Sequence, residues 1–339
     1  MQRYIRPLVQ MGQARPAEAV RLAGGQGWFT HVEILHRDFP PEVHPANVLT
    51  GAERHALIVP REPISGLDFA EPVLMGIVNV TPDSFSDGGR HNDLSGATTA
   101  AQNMVTQGAH LIDIGGESTR PGAAFVPEDQ EIDRTAPVIS ALRKAGVKVP
   151  ISIDTRKAKV ADAALDAGAN IVNDVSGFGF DPDLAPLCAN RGAPVCVMHA
   201  QGDPATMQDD PQYGDVLLDV YDYLLQRIEA LVGLGIARSQ IIADPGIGFG
   251  KKLPHNLKIL NRISLFHSLG VPILLGASRK RFIGTVAGVS DADQRGPGSV
   301  GVAIGAISQG IQIIRAHDVA EHAQAIALWR AGMAQGNYD

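Results

Sequence analysis

Three short apolar runs in this chain end in side chains able to read the edge of a flat heterocycle. Asp154 closes VPISID (149–154), Asn173 lies in NIVND (170–174), and Asp244 lies in IIADP (241–245). A carboxylate facing an amino group and a neighbouring ring N–H accepts two parallel hydrogen bonds, as it does from arginine. One such aspartate alone fits a helix cap equally well; three converging on one axis point to a ligand. Two further runs end in cations: Lys280 in ASRKRF (277–282), and Arg315 with His317 in RAHD (315–318). Residues two apart on an extended strand end project to one side, which suits a phosphate group. Arg279 and Arg281 also fit a solvated basic turn.

Two loops are rich in turn residues. NVTPDSFSDGGR (79–90) opens with Asn79, whose carbonyl oxygen suits a hard cation, and continues as a small, polar, Gly-rich stretch. DIGGESTRPGA (113–123) carries Glu117 and Arg120, which read alone as a structural ion pair. DPGIGFGKK (244–252) invites a nucleotide reading that fails on spacing. A P-loop needs glycine where Pro245 stands and Ser or Thr where Lys252 stands, and the G-x-G-x-x-G pattern lacks its third glycine. His199 and His317 form no metal signature with a nearby Cys or His.

What would position these residues is a repeat. From about residue 71 onward, eight apolar runs of strand length each precede a helix-like stretch, and several stretches end in Gly, the usual residue after a helix. The runs are 73–80, 111–115, 149–154, 170–174, 193–199, 241–245, 271–276 and 311–315. They are apolar on both faces, as buried parallel strands are. Eight such units predict an α/β fold, a (β/α)8 barrel, in which active sites form at the C-terminal ends of the strands. A doubly wound open sheet is the competitor, with fewer strands and a reversal of order. The polar residues sit at those ends: Asn79, Asp113, Asp154, Asn173, His199, Asp244, Lys280, Arg315 and His317. Residues 1–70 lack the rhythm and form an N-terminal extension of no assigned function, in which WFTHVEILHR (28–37) predicts an edge strand; 71–335 is the barrel and 336–339 a tail.

Composition sets the boundaries. Hydrophobic residues make up 45% and charged residues 19%, which excludes a disordered chain. A formal charge of −7 argues against nucleic acid or an anionic membrane as the main partner, without excluding a local anion site. The two cysteines, Cys188 and Cys196, make neither a disulfide scaffold nor a four-cysteine zinc site and read as buried hydrophobes in a reducing cytoplasm. Glycine is frequent at 37 residues while aromatics are only 5%, as tight turns and small residues against a sheet require.

Taken together, MGIVNVTPDSFSDGG, DIGGESTRPGA, ISIDTRKAKV, VNDVSG, VMHAQGDPATMQ, ADPGIGFGK, GASRKRFIG and IIRAHDV resemble the dihydropteroate synthase family, in family order across about residues 71–335. The resemblance implies that 4-aminobenzoate displaces diphosphate from (7,8-dihydropterin-6-yl)methyl diphosphate, giving 7,8-dihydropteroate. It implies that Asp154, Asn173, Met198, Asp244 and Lys280 hold the pterin, and that Asn79, Arg120, Arg315 and His317 hold the diphosphate, with Asn79 also on Mg2+. It places Thr119, Pro121, Phe249, Lys280 and Arg281 around 4-aminobenzoate, and gives Asp154, Asp244, Lys280 and Arg315 the catalytic work. Stretches 81–91 and 117–125 are candidate lids. It further implies a cytoplasmic homodimer that is a target of sulfonamides. Two positions depart from the pattern: Ala200 stands where many members have Met, and Arg281 where some have Ser. The rival readings are a methyltetrahydrofolate–corrinoid methyltransferase, which needs the same pterin set but no diphosphate site, and a catalytically silent pterin-binding protein. A glycolytic-type phosphate barrel explains the cations but not the Asp/Asn set.

Overall fold

The computed structural model describes residues 2–80, 90–118, 124–202 and 206–334. The chain opens with β1 (Tyr4–Pro7), β2 (Val20–Arg21), β3 (Trp28–Phe29), β4 (His31–Leu35), β5 (Glu42–Pro45) and α1 (Gly51–Ile58). Strands β1, β4 and β5 pair antiparallel in that order, so β4 is the central strand of a small sheet and not the expected edge. The charge in mid-strand misleads here. Glu33 is buried between Arg6 (2.8 Å) and Arg262 (3.2 Å), whose guanidinium groups compensate its charge. Helix α1 starts at a capping box, with Glu53 N–H donating to Thr50 Oγ1 at 3.3 Å and Thr50 N–H to Glu53 Oε2 at 2.8 Å.

The remainder is the (β/α)8 barrel. In chain order it runs β6 (Val73–Asn79), α2 (Arg90–Thr106), β7 (Leu111–Gly115), α3 (Glu128–Lys144), β8 (Ile151–Asp154), α4 (Ala158–Ala167), β9 (Ile171–Asp174) and α5 (Leu184–Arg191). It continues with β10 (Val195–Met198), α6 (Val216–Gly233), β11 (Ile241–Asp244), α7 (Leu253–Asn261), β12 (Leu274–Leu275), α8 (Arg281–Ala287), α9 (Gly296–Ile307), β13 (Ile313–Ala316) and α10 (Val319–Ala334). All eight expected strands form, each paired parallel to its neighbour in the order β11-β10-β9-β8-β7-β6-β13-β12. A bridge between Ala243 and Ile273, with Ala243 N–H donating to Pro272 O at 3.0 Å, closes the ring between β11 and β12. Helix α4 ends on Gly168 at φ +111°, a conformation that favours glycine.

Strand alternation sorts the side chains into two shells. Leu74, Ile112, Ile153, Val172, Val197, Ala243 and Ile314 face outward beneath the helices in the main core. Val73, Met75, Leu111, Ile171, Cys196, Ile242, Leu274 and Ile313 face inward, packed with Ile64, Leu67 and Phe69. Burying each such side chain is worth ~1.5–3 kcal/mol. Residues 64–69, on the N-terminal side of the expected boundary, therefore plug the bottom of the barrel, and one packed cluster spans that boundary. The cysteines are both free and buried, and burial pushes the Cys188 thiol up to about 12.

Candidate active site

Two residues beyond each inward apolar residue, the same alternation places the chemistry. Leu111 leads to Asp113 and Gly115, Ile171 to Asn173, Cys196 to Met198, Ile242 to Asp244, Leu274 to Gly276, and Ile313 to Arg315. Register aligns the upper rim: Asn79 pairs with Gly115, Gly115 with Asp154, Asp154 with Asn173, and Met198 with Asp244. Gly115 and Gly276 leave the rim open. A Cβ on Gly276 would lie 3.5 Å from Asp244 Oδ2 and 3.8 Å from Arg315 Cδ, and one on Gly115 would lie 3.8 Å from Asn79 Oδ1.

Arg315 ties one side of the rim together. Its Nε donates to Asp113 Oδ2 at 2.7 Å and a terminal nitrogen donates to Asp154 Oδ2 at 2.9 Å. Asn173 Nδ2 donates to the same Asp113 oxygen at 3.2 Å. Asp113 Oδ1 is buried and, among the described residues, accepts no hydrogen bond. Burial and the neighbouring Asp113 push the Asp154 carboxyl up to about 8 against the pull of Arg315. On the other side, Asp244 Oδ1 accepts from Gly246 N–H at 2.7 Å. Burial raises the Asp244 carboxyl while Lys280 opposes the rise. Lys280 donates to Ile247 O and stands 4.6 Å over the Phe249 ring. Burial pushes its ammonium down to about 8, with Asp244 opposing and Arg315 reinforcing.

The glycines of DPGIGFGKK serve packing. Gly246 has φ +66°, and a Cβ there would sit 1.9 Å from His199 O, so only glycine lets the two loops meet. Lys251, which resembles a nucleotide-binding lysine in sequence, is buried. Its Nζ donates to Gly246 O at 2.8 Å and Phe249 O at 3.0 Å, and contacts His199 Nδ1 at 2.8 Å. Burial holds both Lys251 and His199 well below their ordinary ranges. The lysine fixes the loop that carries Phe249.

The three cations of SRKR separate in space. Arg279, at φ +58°, pairs with Asp318 and Asp293 and has a structural role. Lys280 enters the rim, and Arg281 is exposed on the first turn of α8. The His317 ring contacts Ser278 Oγ at 3.0 Å. Glu117 pairs with Arg156 at 3.2 Å and Lys157 at 3.1 Å, partners that sequence proximity to Arg120 does not suggest. Lys157 also reaches Val126 O at 2.6 Å and Glu131 at 2.5 Å. Thr119, Arg120 and Pro121, with 81–89 of the first loop, lie outside the described residues.

The structure thus gathers Asp154, Asn173, Met198, Asp244, Lys280, Phe249 and Arg315 on one rim, with Asn79 beside them. Sequence reasoning left Asp113, Gly276, Ser278 and Lys251 without roles. For Asp113 and Gly276 the signal was available, since each shares parity with an inward apolar residue on its strand.

The family model for pterin binding enzymes matches residues 75–317. Dihydropteroate synthase of Escherichia coli (strain K12) is 44% identical over 267 residues, spanning 79% of this chain and 94% of its own. A crystal structure of the Yersinia pestis dihydropteroate synthase with a sulfonamide drug superposes with a TM-score of 0.74 at 47% identity, covering 78% of this chain and 96% of that one. The Xanthomonas albilineans enzyme with 4-aminobenzoic acid gives 0.75 at 42% identity, covering 80% and 97%. With a rim of this composition and relatives of this identity and coverage, the chain belongs to the dihydropteroate synthase family of pterin-binding enzymes.

Proposed function

We propose that this chain condenses (7,8-dihydropterin-6-yl)methyl diphosphate with 4-aminobenzoate, releasing diphosphate and forming 7,8-dihydropteroate. The observation that carries the reading is the rim itself: two carboxylates and an amide, Asp154, Asp244 and Asn173, beside the half-buried cations Lys280 and Arg315, around a space kept open by Gly115 and Gly276. In this reading Asp244 accepts from the 2-amino group and N3–H of the pterin, with Oδ2 beside Gly276. Asp154, Asn173 and Met198 hold the rest of the ring. Arg120, Arg315, His317 and Asn79 hold the diphosphate, and Thr119, Pro121, Phe249, Lys280 and Arg281 surround 4-aminobenzoate.

The bond between the C6 methylene and the diphosphate oxygen breaks, and its electron pair leaves with the diphosphate. The pterin ring stabilises the methylene cation left behind, and the weakly nucleophilic amine attacks it and loses a proton. Such a step needs no serine, cysteine or histidine nucleophile. It needs cations where negative charge accumulates, exclusion of water and an oriented amine. Magnesium bound to the diphosphate oxygens would lower the cost of that departing charge. Asn79 would help hold that ion through its amide oxygen, a hard donor suited to it.

A cytoplasmic homodimer completes the reading, supported by the absence of disulfides and the family's habit; among the described residues no helix is long and apolar enough to cross a membrane. The test is diphosphate release from the purified protein with Mg2+ and the pterin diphosphate, with and without 4-aminobenzoate. Release matched one-to-one by dihydropteroate is expected. Pterin binding without product would favour a silent binder or a corrinoid methyltransferase, and methyl transfer would then be assayed.

A further inference from the structure

The N-terminal sheet carries a polar patch that meets α6. Gln2 Nε2 and the Tyr4 hydroxyl donate to Asp222 at 3.0 and 2.8 Å, and Arg37 donates to Asp222 at 2.6 Å and to Asp219 Oδ1 at 2.7 Å. Asp219 is the junction. Its other oxygen accepts from Gly214 N–H at 2.9 Å and Asp215 N–H at 3.1 Å, the last residues of the segment that leaves the rim at Met198. That segment grips the Phe249 loop. Tyr213 donates to Gly250 O at 2.7 Å, Gln208 donates to Gly248 O, and Gln201 is fastened to Gln212 O at 2.9 Å. A cleft of about 500 Å3 lies along His199, Gln201, Tyr213, Asp219 and Tyr223, beside a segment whose Met207 and Tyr213 side chains pack inward.

We infer that Arg37 is a positioning residue: through Asp219 it fixes the 206–215 segment, and thereby the Met198 and Phe249 side of the site. The side chains of Arg37 and Asp219 are 40% and 27% exposed, and an ion pair so exposed adds little to global stability. Its removal therefore changes geometry at the site more than the melting temperature. The inference rests on the proposed pterin chemistry for its kinetic readout but not for its structural one.

The test compares Arg37→Ala and Asp219→Asn with Tyr4→Phe in the full chain. The asparagine keeps an acceptor for Gly214 and Asp215 while losing the ionic contact, and Tyr4→Phe removes the hydroxyl that donates to Asp222 and accepts from Arg37 Nε at 3.1 Å but leaves the Arg37–Asp219 pair in place. Amide exchange at 206–215 and pterin-diphosphate binding are measured, together with KM and kcat. Expected for the first two variants are faster exchange at Gly214 and Asp215 and a KM and Kd for the pterin diphosphate raised about fivefold or more, with kcat within about twofold. Tyr4→Phe is expected to leave both unchanged. Unchanged exchange in Arg37→Ala, faster exchange with unchanged pterin affinity, or the same rise in Tyr4→Phe would each overturn the inference. If the unaltered protein makes no dihydropteroate, the functional reading fails, while exchange and pterin binding still decide the role of Arg37.

Discussion

Replacing Lys251 by Met tests whether the buried lysine is a structural tie. Its Nζ satisfies two carbonyls, Gly246 O and Phe249 O, and meets His199 Nδ1. Phe249 O and His199 Nδ1 are left unpaired at ~1–3 kcal/mol each, while Gly246 O keeps the Phe249 N–H at 3.2 Å. Relief from burying the lysine head offsets part of this. The balance is a net loss of about 2–4 kcal/mol. At ~2.1 cal/mol/K per residue, a chain of this length loses roughly 3–6 °C in melting temperature. The loosened loop carries Phe249, which packs under Lys280, so KM for 4-aminobenzoate rises more than KM for the pterin diphosphate. Thermal melts and initial rates at pH 7 measure both. A variant that melts within a degree of the parent with unchanged KM values would refute the tie and reopen a ligand role for the lysine.

Two other perturbations follow from the rim. The Asp154 carboxyl sits at about 8, above its unfolded value near ~3.9. Its contribution to stability is thus full in acid and lost as pH rises through about 8. The melting temperature of the protein relative to Asp154→Asn is expected to fall between pH 5 and 9, and a pH-independent difference would contradict the assignment. In Gly276→Ala the new methyl meets only ordinary contacts, 3.5 Å from Asp244 Oδ2, so folding survives. The methyl stands where the ring must lie, and pterin binding measured by calorimetry is expected to weaken about tenfold or more.

How much of this was legible in the sequence depends on where a residue's partners lie. The eight strands were readable because each is an apolar run carrying its own signature. Asp154, Asn173, Asp244 and Arg315 were readable because they end those runs on the inward parity. What sequence did not disclose is charge buried by distant partners. Glu33, on a strand that reads as an edge, is buried because Arg262 arrives from across the chain. Glu117 also pairs with Arg156 and Lys157, which follow β8 and lie far from it in sequence. Lys251 sits among glycines that suggest a nucleotide loop, and only the approach of His199 shows what the glycines serve. Residues 64–69 carry no repeat, yet they seal the barrel because its lower end needs an apolar plug.

In the proposed chemistry the inner rim, and Asp244 above all, reads the pterin. Titrating the dihydropterin diphosphate with Mg2+ into the protein and into Asp244→Asn tests it most directly. Two charge-assisted hydrogen bonds at ~1.5–3 kcal/mol each predict affinity reduced at least about 100-fold in the variant. Equal affinity in both proteins would mean that the pterin is held elsewhere.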